Sequence, residues 1–313
     1  MSTESDVNVP SAVTVCIPLY NNAETLQRCL SSVLSQDYDD FEILVVDDRS
    51  TDNGVEIARE LLRDSDRVLV NEHNLGAAGN HNRCIELARG ELIQFVHGDD
   101  ELLPGALSTL TASFADDVAL AFAPRDVVTE DDKFMKTNGT LHHRFRDLGA
   151  LNNGDDLLTY FVFKGALHNW IGEPTCVMFR RDYAVRVGGF RTDIAQNFDY
   201  DLWMNMAAGH QIAFVDQKLS VRYHTDTNLS ALNLADRRGW LDRPRFLWSV
   251  ALNSGMNVRA RLFAAMWLTS AYPESMFSAV LFPRGRRWSH LREAATAPIT
   301  ERRRRRRLDA EYR

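Results

Sequence analysis

The stretch VTVCIPLYNNAETLQRCLSSVL, from Val13 to Leu34, changes its period half-way along. Val13 to Ile17 is an apolar, β-rich run, and Pro18-Leu19-Tyr20-Asn21 reads as a turn. Leu26, Cys29, Leu30, Val33 and Leu34 then recur at helical spacing, with Asn22 as candidate N-cap. A strand feeding a helix that packs back on it is the unit of an α/β fold.

The same unit repeats outward from this stretch. Further strands are expected at Glu42 to Val46, Arg67 to Val70 and Leu92 to Val96, apolar enough to be covered on both faces. A second helix opens at Asp52 and carries Val55, Ala58, Leu61 and Leu62 on one side. A third runs to about Arg89 and stops at Gly90. Three right-handed crossovers predict an open, doubly wound sheet flanked by helices, with ligands outside the carboxyl ends of the strands. The loops there read Pro18 to Asn21, Asp47 to Asp52, His73 to Gly76 and His97 to Asp100, and two of the four are doubly acidic.

Beyond residue 118 the pattern is mixed, with a strand-like Val118 to Ala123 and a helix from Asp155 to Phe163. From Ala235 it turns helical, through Trp240, Phe246, Leu247, Val250, Leu262, Phe263, Met266 and Trp267, with Pro273 and Pro283 as interruptions. The expected organisation is a flexible 1–11, a main domain over 12–235 with halves at 12–117 and 118–235, a helical region at 236–300 and a basic tail at 301–313.

The 313 residues, 45% hydrophobic and 25% charged, suit a folded globular chain. The net charge of −7 conceals an acidic body, because Arg302 to Arg307 are consecutive arginines. That balance argues against nucleic-acid binding through a broad basic face, and the tail reads as solvated and disordered. Cys16, Cys29, Cys84 and Cys176 lack metal-ligand or disulfide-framework spacing and read as buried thiols of a reducing compartment. With no apolar leader or spanning stretch in view, a cytoplasmic location is expected.

No G-x-G-x-x-G or P-loop follows the first strand, so a bound phosphate must be held otherwise. Aspartates hold a hard divalent cation that in turn holds a diphosphate, which makes Asp99 and Asp100 candidate metal positions. Paired aspartates alone are more often solvated or helix caps. Here they occur with VCIPLYN (Val15 to Asn21), SVLSQ (Ser32 to Gln36) and VVDDRSTD (Val45 to Asp52), in order and at compatible spacing. In that conjunction the sequence resembles glycosyltransferase family 2 over about residues 12–230.

The resemblance implies a GT-A type open, doubly wound mixed sheet with a helical C-terminal appendage, and an inverting, hexosyltransferase-type enzyme of glycan biosynthesis. It implies a nucleotide-sugar donor, UDP- or dTDP-linked, and Mn²⁺ or Mg²⁺. Pro18, Tyr20, Asn21, Asp48, Asn74, Gly76, His97 and Asp99 fall at the donor site, with Asp48 facing the base and Asp47 structural. Asp99 matches the metal ligand and Asp199, after Gly188-Gly189-Phe190, the catalytic base. Val221 to His224 with Asn228-Leu229-Ser230 resembles the segment that closes over the diphosphate, where His224 completes the metal shell. Trp170 and Glu173 fall on the acceptor side. The chain departs from the family at His97, where an aspartate is usual, at His81, often arginine, and at Phe198, usually glutamate.

Two other readings stand beside this one. A nucleotidyltransferase would need a triphosphate cradle that Pro18-Leu19-Tyr20-Asn21 does not offer. A catalytically inactive relative, serving as a carbohydrate-binding or scaffold protein, is motivated by the three departures. The acceptor stays open among a polysaccharide, a lipid-linked glycan, a small molecule and a protein side chain. Trp267, Tyr272, Met276, Phe277, Val280, Leu281, Phe282, Arg284, Arg286, Arg287 and Trp288 suit either peripheral contact with an anionic membrane or packing and dimerisation.

Overall fold

The computed structural model describes residues 12–225, 238–281 and 284–311. Its first half is β1 (Val13–Leu19), α1 (Ala23–Leu34), β2 (Phe41–Asp47), α2 (Gly54–Leu61), β3 (Arg67–Val70), α3 (Gly76–Leu87) and β4 (Leu92–Phe95). Then come β5 (Glu101–Leu102), α4 (Ala106–Thr111), β6 (Val118–Phe122), β7 (Arg125–Val128), α5 (Asp132–Asn138), β8 (Leu151–Asn153), α6 (Gly154–Phe163), β9 (Val177–Arg180), α7 (Arg181–Arg186) and α8 (Phe198–Ala207). The chain continues through β10 (Gln211–Phe214), β11 (Ser220–Tyr223), α9 (Asp242–Leu252), α10 (Val258–Val280) and α11 (Arg284–Glu311).

Eight strands form one sheet in the order β3-β2-β1-β4-β9-β6-β10-β8. β1, β2, β3 and β4 are parallel, whereas β9 runs antiparallel to both β4 and β6. The expected mixed α/β sheet is therefore present. Its two faces follow from strand alternation: Val13, Val15, Ile17, Ile43 and Val45 pack with Leu26, Leu30 and Val33 of α1, while Cys16, Leu44 and Val46 face α3 and the second half. β3 differs from the expectation of two covered faces. It is an edge strand, with Leu69 and Val70 exposed, because no strand among the described residues pairs beyond it.

Local signals were displaced at three points. Asn22 makes no side-chain cap; the N–H of Ala23 instead donates to Asp52 Oδ2 at 2.9 Å, while Asp52 Oδ1 accepts from Gly54 N. One carboxylate thus serves the starts of α1 and α2. Helix α3 ends at Leu87 rather than near Arg89, and Gly90 is not its C′ residue. Gly90 instead lets the chain pass β1, since a Cβ there would lie 2.5 Å from Thr14 N. Pro273 interrupts nothing: α10 runs through it, with Ala271, Ser275 and Ala279 buried on one side. Pro283 and Phe282 lie outside the described residues.

The helical C-terminal appendage packs on the main domain. Phe246 and Leu247 of α9 share a core with Phe161 and Tyr200, and the Phe246 ring lies 5.0 Å from that of Tyr200. Residues 301–311 are not a solvated coil. They complete α11, with Glu301 buried and Arg304 and Arg305 turned inward. Helical periodicity places them opposite the exposed Arg302, Arg303, Arg306 and Arg307. Tyr272 and Met276 pack inward, while Phe277, Leu281 and Trp288 are exposed. No helix among the described residues is long and apolar enough to cross a membrane.

Gly90→Ala should lose more than about 2 kcal/mol through overpacking against backbone that cannot move aside. Urea denaturation measures it, and wild-type stability would show that the chain at Gly90 is free to shift from β1.

Candidate active site

The carboxyl ends of β1, β2 and β3 are laced together by short polar side chains. Asn21, at φ 53°, donates its N–H to Ser50 Oγ at 2.9 Å and accepts from Thr51 N at 2.8 Å. Asp47 accepts from the N–H groups of Arg49 and Ser50, the structural duty expected of it. Pro18 is half-buried in β1, and Tyr20 stands 52% exposed beside it.

Asp48 departs from its expected role. It is 2% exposed, and its carboxylate accepts from Asn71 Nδ2, Leu75 N and Gly76 N at 2.9, 2.8 and 2.9 Å. Asn74 Nδ2 donates to the Asp48 carbonyl at 2.9 Å. Asp48, Asn74 and Gly76 thus join β2 to the start of α3, and the carboxylate expected to face a base imide caps this helix. The N-termini of α1 and α3 are accordingly filled by Asp52 and Asp48, which leaves the N–H groups they bind unavailable to a diphosphate.

The acidic loop after β4 is held from several directions. Thr25 Oγ1 donates to Gly98 O at 2.7 Å, and Arg28 donates to Asp99 O at 2.9 Å. Asp100 is buried and accepts from Thr175 Oγ1 at 2.8 Å and Tyr223 N at 3.2 Å. Asp99 is half-buried, and its pKa is raised by burial and by the adjacent Asp100 charge, against the pull of His97 and Arg222. Among the described residues His97, Asp99 and Asp100 are the group able to share a cation, with ligand atoms all within 4.8 Å of one another. Oxygen donors with one imidazole fit a hard divalent ion, and such an ion would relieve the crowding of the two carboxylates. His224 lies outside this triad; its ring stacks on Phe134 at 3.6 Å.

His97 and His81 form a directed pair. His81 Nδ1 lies 2.7 Å from Ala77 O, which can only accept, so Nδ1 carries the hydrogen. Burial and the neighbouring His97 lower the His81 pKa to about 3, so it is neutral and its Nε2 accepts from His97 Nε2 at 3.1 Å. Burial works against protonation of His97 as well, yet Asp100, at 3.5 Å from Nδ1, and Asp99 raise its pKa. Phe198 packs on the His81 ring at 5.7 Å and on Phe190 at 5.6 Å. The three departures from the family pattern are therefore one contiguous cluster.

Asp199 opens α8. Its Oδ1 accepts from Tyr200 N at 2.7 Å and its Oδ2 from Asn169 Nδ2 at 2.8 Å. Burial pushes its pKa up to about 6, reinforced by the Glu173 charge and opposed by those hydrogen bonds and by Arg222. Asn169, overlooked in the sequence, also donates to Gly172 O and accepts from Ile171 N and Gly172 N. Its signal was an Asx turn ahead of a glycine at φ 128°.

The acceptor-side expectations fare differently. Glu173 is buried with both oxygens engaged, 2.5 Å from Arg125 Nε and 3.0 Å from Arg222 Nη1. Burial would raise its pKa, but the two guanidiniums hold it at about 2. It buttresses the loop and offers no free carboxylate to an acceptor. Trp170 is core, packed against Phe145 and Phe161 at 5.1 and 5.3 Å. Arg222, also overlooked as a site residue, lowers the pKa of both Asp99 and Asp199 and so links the two acidic centres electrostatically. Asn228, Leu229 and Ser230 lie outside the described residues.

The glycosyl transferase family 2 model matches residues 14–188, which include β1 to β4, the acidic loop and Asn169. The chain belongs to glycosyltransferase family 2. An uncharacterized protein of Mycobacterium tuberculosis is 47% identical over 92% of this chain and 91% of its own length. The uncharacterized glycosyltransferase YibD of Escherichia coli is 30% identical over 72% of this chain and 65% of that protein. Among solved structures, S. aureus TarS in complex with UDP-GlcNAc matches 96% of this chain and 93% of its own, with TM-score 0.58 and 17% identity. The mannosyltransferase PcManGT of Pyrobaculum calidifontis, in complex with GDP-Man and Mn²⁺, covers 94% of this chain and 87% of its own, with TM-score 0.57 and 18% identity. These two likenesses establish the shared GT-A fold of this family 2 chain.

Replacing Glu173 by Gln leaves Arg125 and Arg222 without their charge partner, and should destabilise this family 2 protein by about 3 kcal/mol at neutral pH. A depressed carboxylate pKa contributes stability above the ordinary value of 4.5 and loses it as pH falls towards about 2. The gap between wild type and Glu173→Gln in urea titrations should therefore close across that window, and a constant gap would exclude the ion triad as its origin.

Proposed function

We propose that this protein transfers a sugar from a nucleoside-diphosphate sugar to an acceptor hydroxyl in one inverting displacement, with Asp199 as general base. The observation that carries the proposal is the state of Asp199: a carboxylate at the start of α8, oriented by Asn169 and Tyr200 N and held near pKa 6. Such a group is ionised at neutral pH yet basic enough to take a proton. The acceptor oxygen bonds to the anomeric carbon as the carbon–oxygen bond to the diphosphate breaks, and the hydroxyl proton goes to Asp199.

Mn²⁺ or Mg²⁺ held by Asp99, with His97 or Asp100 beside it, would supply positive charge to the diphosphate when bound. Arg222 adds a fixed positive charge between the two acidic centres, suited to the charge that develops on the leaving group. Pro18, Tyr20 and Asn21 line the donor end at the carboxyl edge of β1, where open α/β sheets bind ligands. TarS is bound to UDP-GlcNAc and PcManGT to GDP-Man, which supports a nucleotide-sugar donor here.

The alternative of a non-catalytic relative rests on His81, His97 and Phe198. Their mutual packing supports a remodelled pocket in preference to piecemeal loss, because the changes compensate one another.

Asp199→Asn should lower transfer at least about 10³-fold, with donor binding retained. Full activity in a folded variant would remove Asp199 from the role. For wild type, kcat should fall about tenfold per unit below pH 6 as the base becomes protonated. Thermal shift with UDP-, dTDP- and GDP-sugars should rise for one nucleotide, and further with Mn²⁺; no shift with any would argue against a donor site.

A further inference from the structure

The arginine run has no part in the chemistry above, yet it ends on the helix that carries Asp199. Arg191, directly after Gly188-Gly189-Phe190, is 4% exposed and sits at the centre of a buried charge cluster. Its Nε and Nη2 donate to Asp193 at 2.9 and 2.8 Å; its Nη1 lies 2.8 Å from Glu301 and 3.8 Å from Asp201. Glu301 Oε1 is 3.1 Å from Arg305 Nε, and Arg305 Nη2 donates to Asn205 Oδ1 and Ser249 Oγ, each at 2.5 Å. Arg304 approaches Glu301 at 3.3 Å. With Arg245 3.4 Å from Asp193, four guanidiniums, of Arg191, Arg245, Arg304 and Arg305, thus face three carboxylates, of Asp193, Asp201 and Glu301.

Geometry decides what this cluster grips. Asp201 and Asn205 follow Asp199 by two and six residues, which puts them about 200° and 240° around α8, on the side away from Asp199. On the near side Asn169 holds Asp199 at 2.8 Å. The entry to α8 is fixed as well: Asp242, buried at the start of α9, accepts from the N–H groups of Ala195, Gln196 and Asn197 at 3.0, 2.8 and 3.2 Å. A buried ion cluster is seldom more stable than apolar side chains of equal volume; its use lies in allowing one arrangement of the elements it joins. Gly188 permits the close approach, because a Cβ there would meet Leu308 Cδ2 at 2.9 Å.

We propose that Glu301 and Arg305 are positioning residues that lock α8 from behind, so that the C-terminal helix sets the placement of the Asp199 carboxylate. This rests on the reading of Asp199 as the base.

The test uses the full chain with Arg305→Met, Arg305→Lys and Glu301→Gln, read by steady-state kinetics and by backbone hydrogen exchange. Arg305→Met should lower kcat at least tenfold per folded molecule while donor KM stays within twofold. Exchange over residues 198–206 should quicken, with residues 76–87 of α3 unchanged. Arg305→Lys should recover part of the loss, and Glu301→Gln should reproduce it should Arg305→Met fail to fold. Wild-type kcat and exchange in the folded variants would overturn the proposal, as would a loss confined to melting temperature. Asp199→Asn assayed alongside separates the two ideas. Its retention of activity would sink the base assignment while the exchange result still decides the role of the C-terminal helix.

Discussion

Asp100 is a carboxylate with 3% exposure on which two distant segments and its own loop converge. Thr175 reaches it from the loop before β9, the Tyr223 N–H from the end of β11, and His97 from its own loop. A buried charge is tolerable only when its lone pairs are occupied, so these partners are obligatory once the loop is folded. Their convergence brings Arg222, the partner of Glu173, within electrostatic reach of Asp99. The small β5-β11-β7 sheet serves the same end, because β11 pairs with β5 immediately after the acidic loop. Asp100 therefore organises the acidic loop, with Asp99 beside it half-buried.

Two carboxylates near Arg222 are driven in opposite directions by their surroundings. Glu173, between two guanidiniums, lies at about 2 and is permanently ionised; Asp199, buried and facing that negative charge, rises to about 6. Under the proposed function this separation divides labour, with Glu173 as fixed structure and Asp199 as the proton acceptor. The fixed charge of Glu173 thereby helps make Asp199 basic without touching it.

The departures at His81, His97 and Phe198 carry the same lesson about context. Each weakens a match to the family pattern when taken singly. Together they form two imidazoles and an aromatic ring in one contiguous cluster, backed by Phe95 and Phe190. Asn82 anchors that patch by clasping the Phe190 backbone through two bonds of 2.7 Å, and Gly189 must lack a side chain for it to do so.

By itself, the sequence determined the βα units, the mixed sheet, the family, and the residues Asp99 and Asp199 as centres of interest. Those conclusions rest on periodicity and on motifs that are local along the chain. It did not determine what Asp48, Glu173, Asn169 or the arginine run do, because each acts through partners 23 to 100 residues away. A carboxylate reads the same in sequence whether water, a helix N-terminus or two arginines complete it. Only tertiary structure chooses among these. It made Asp48 a helix cap and Glu173 a buttress, and it turned a tail that local charge density marks as solvated into a helix, because Arg191, Asn205 and Ser249 receive its inward face.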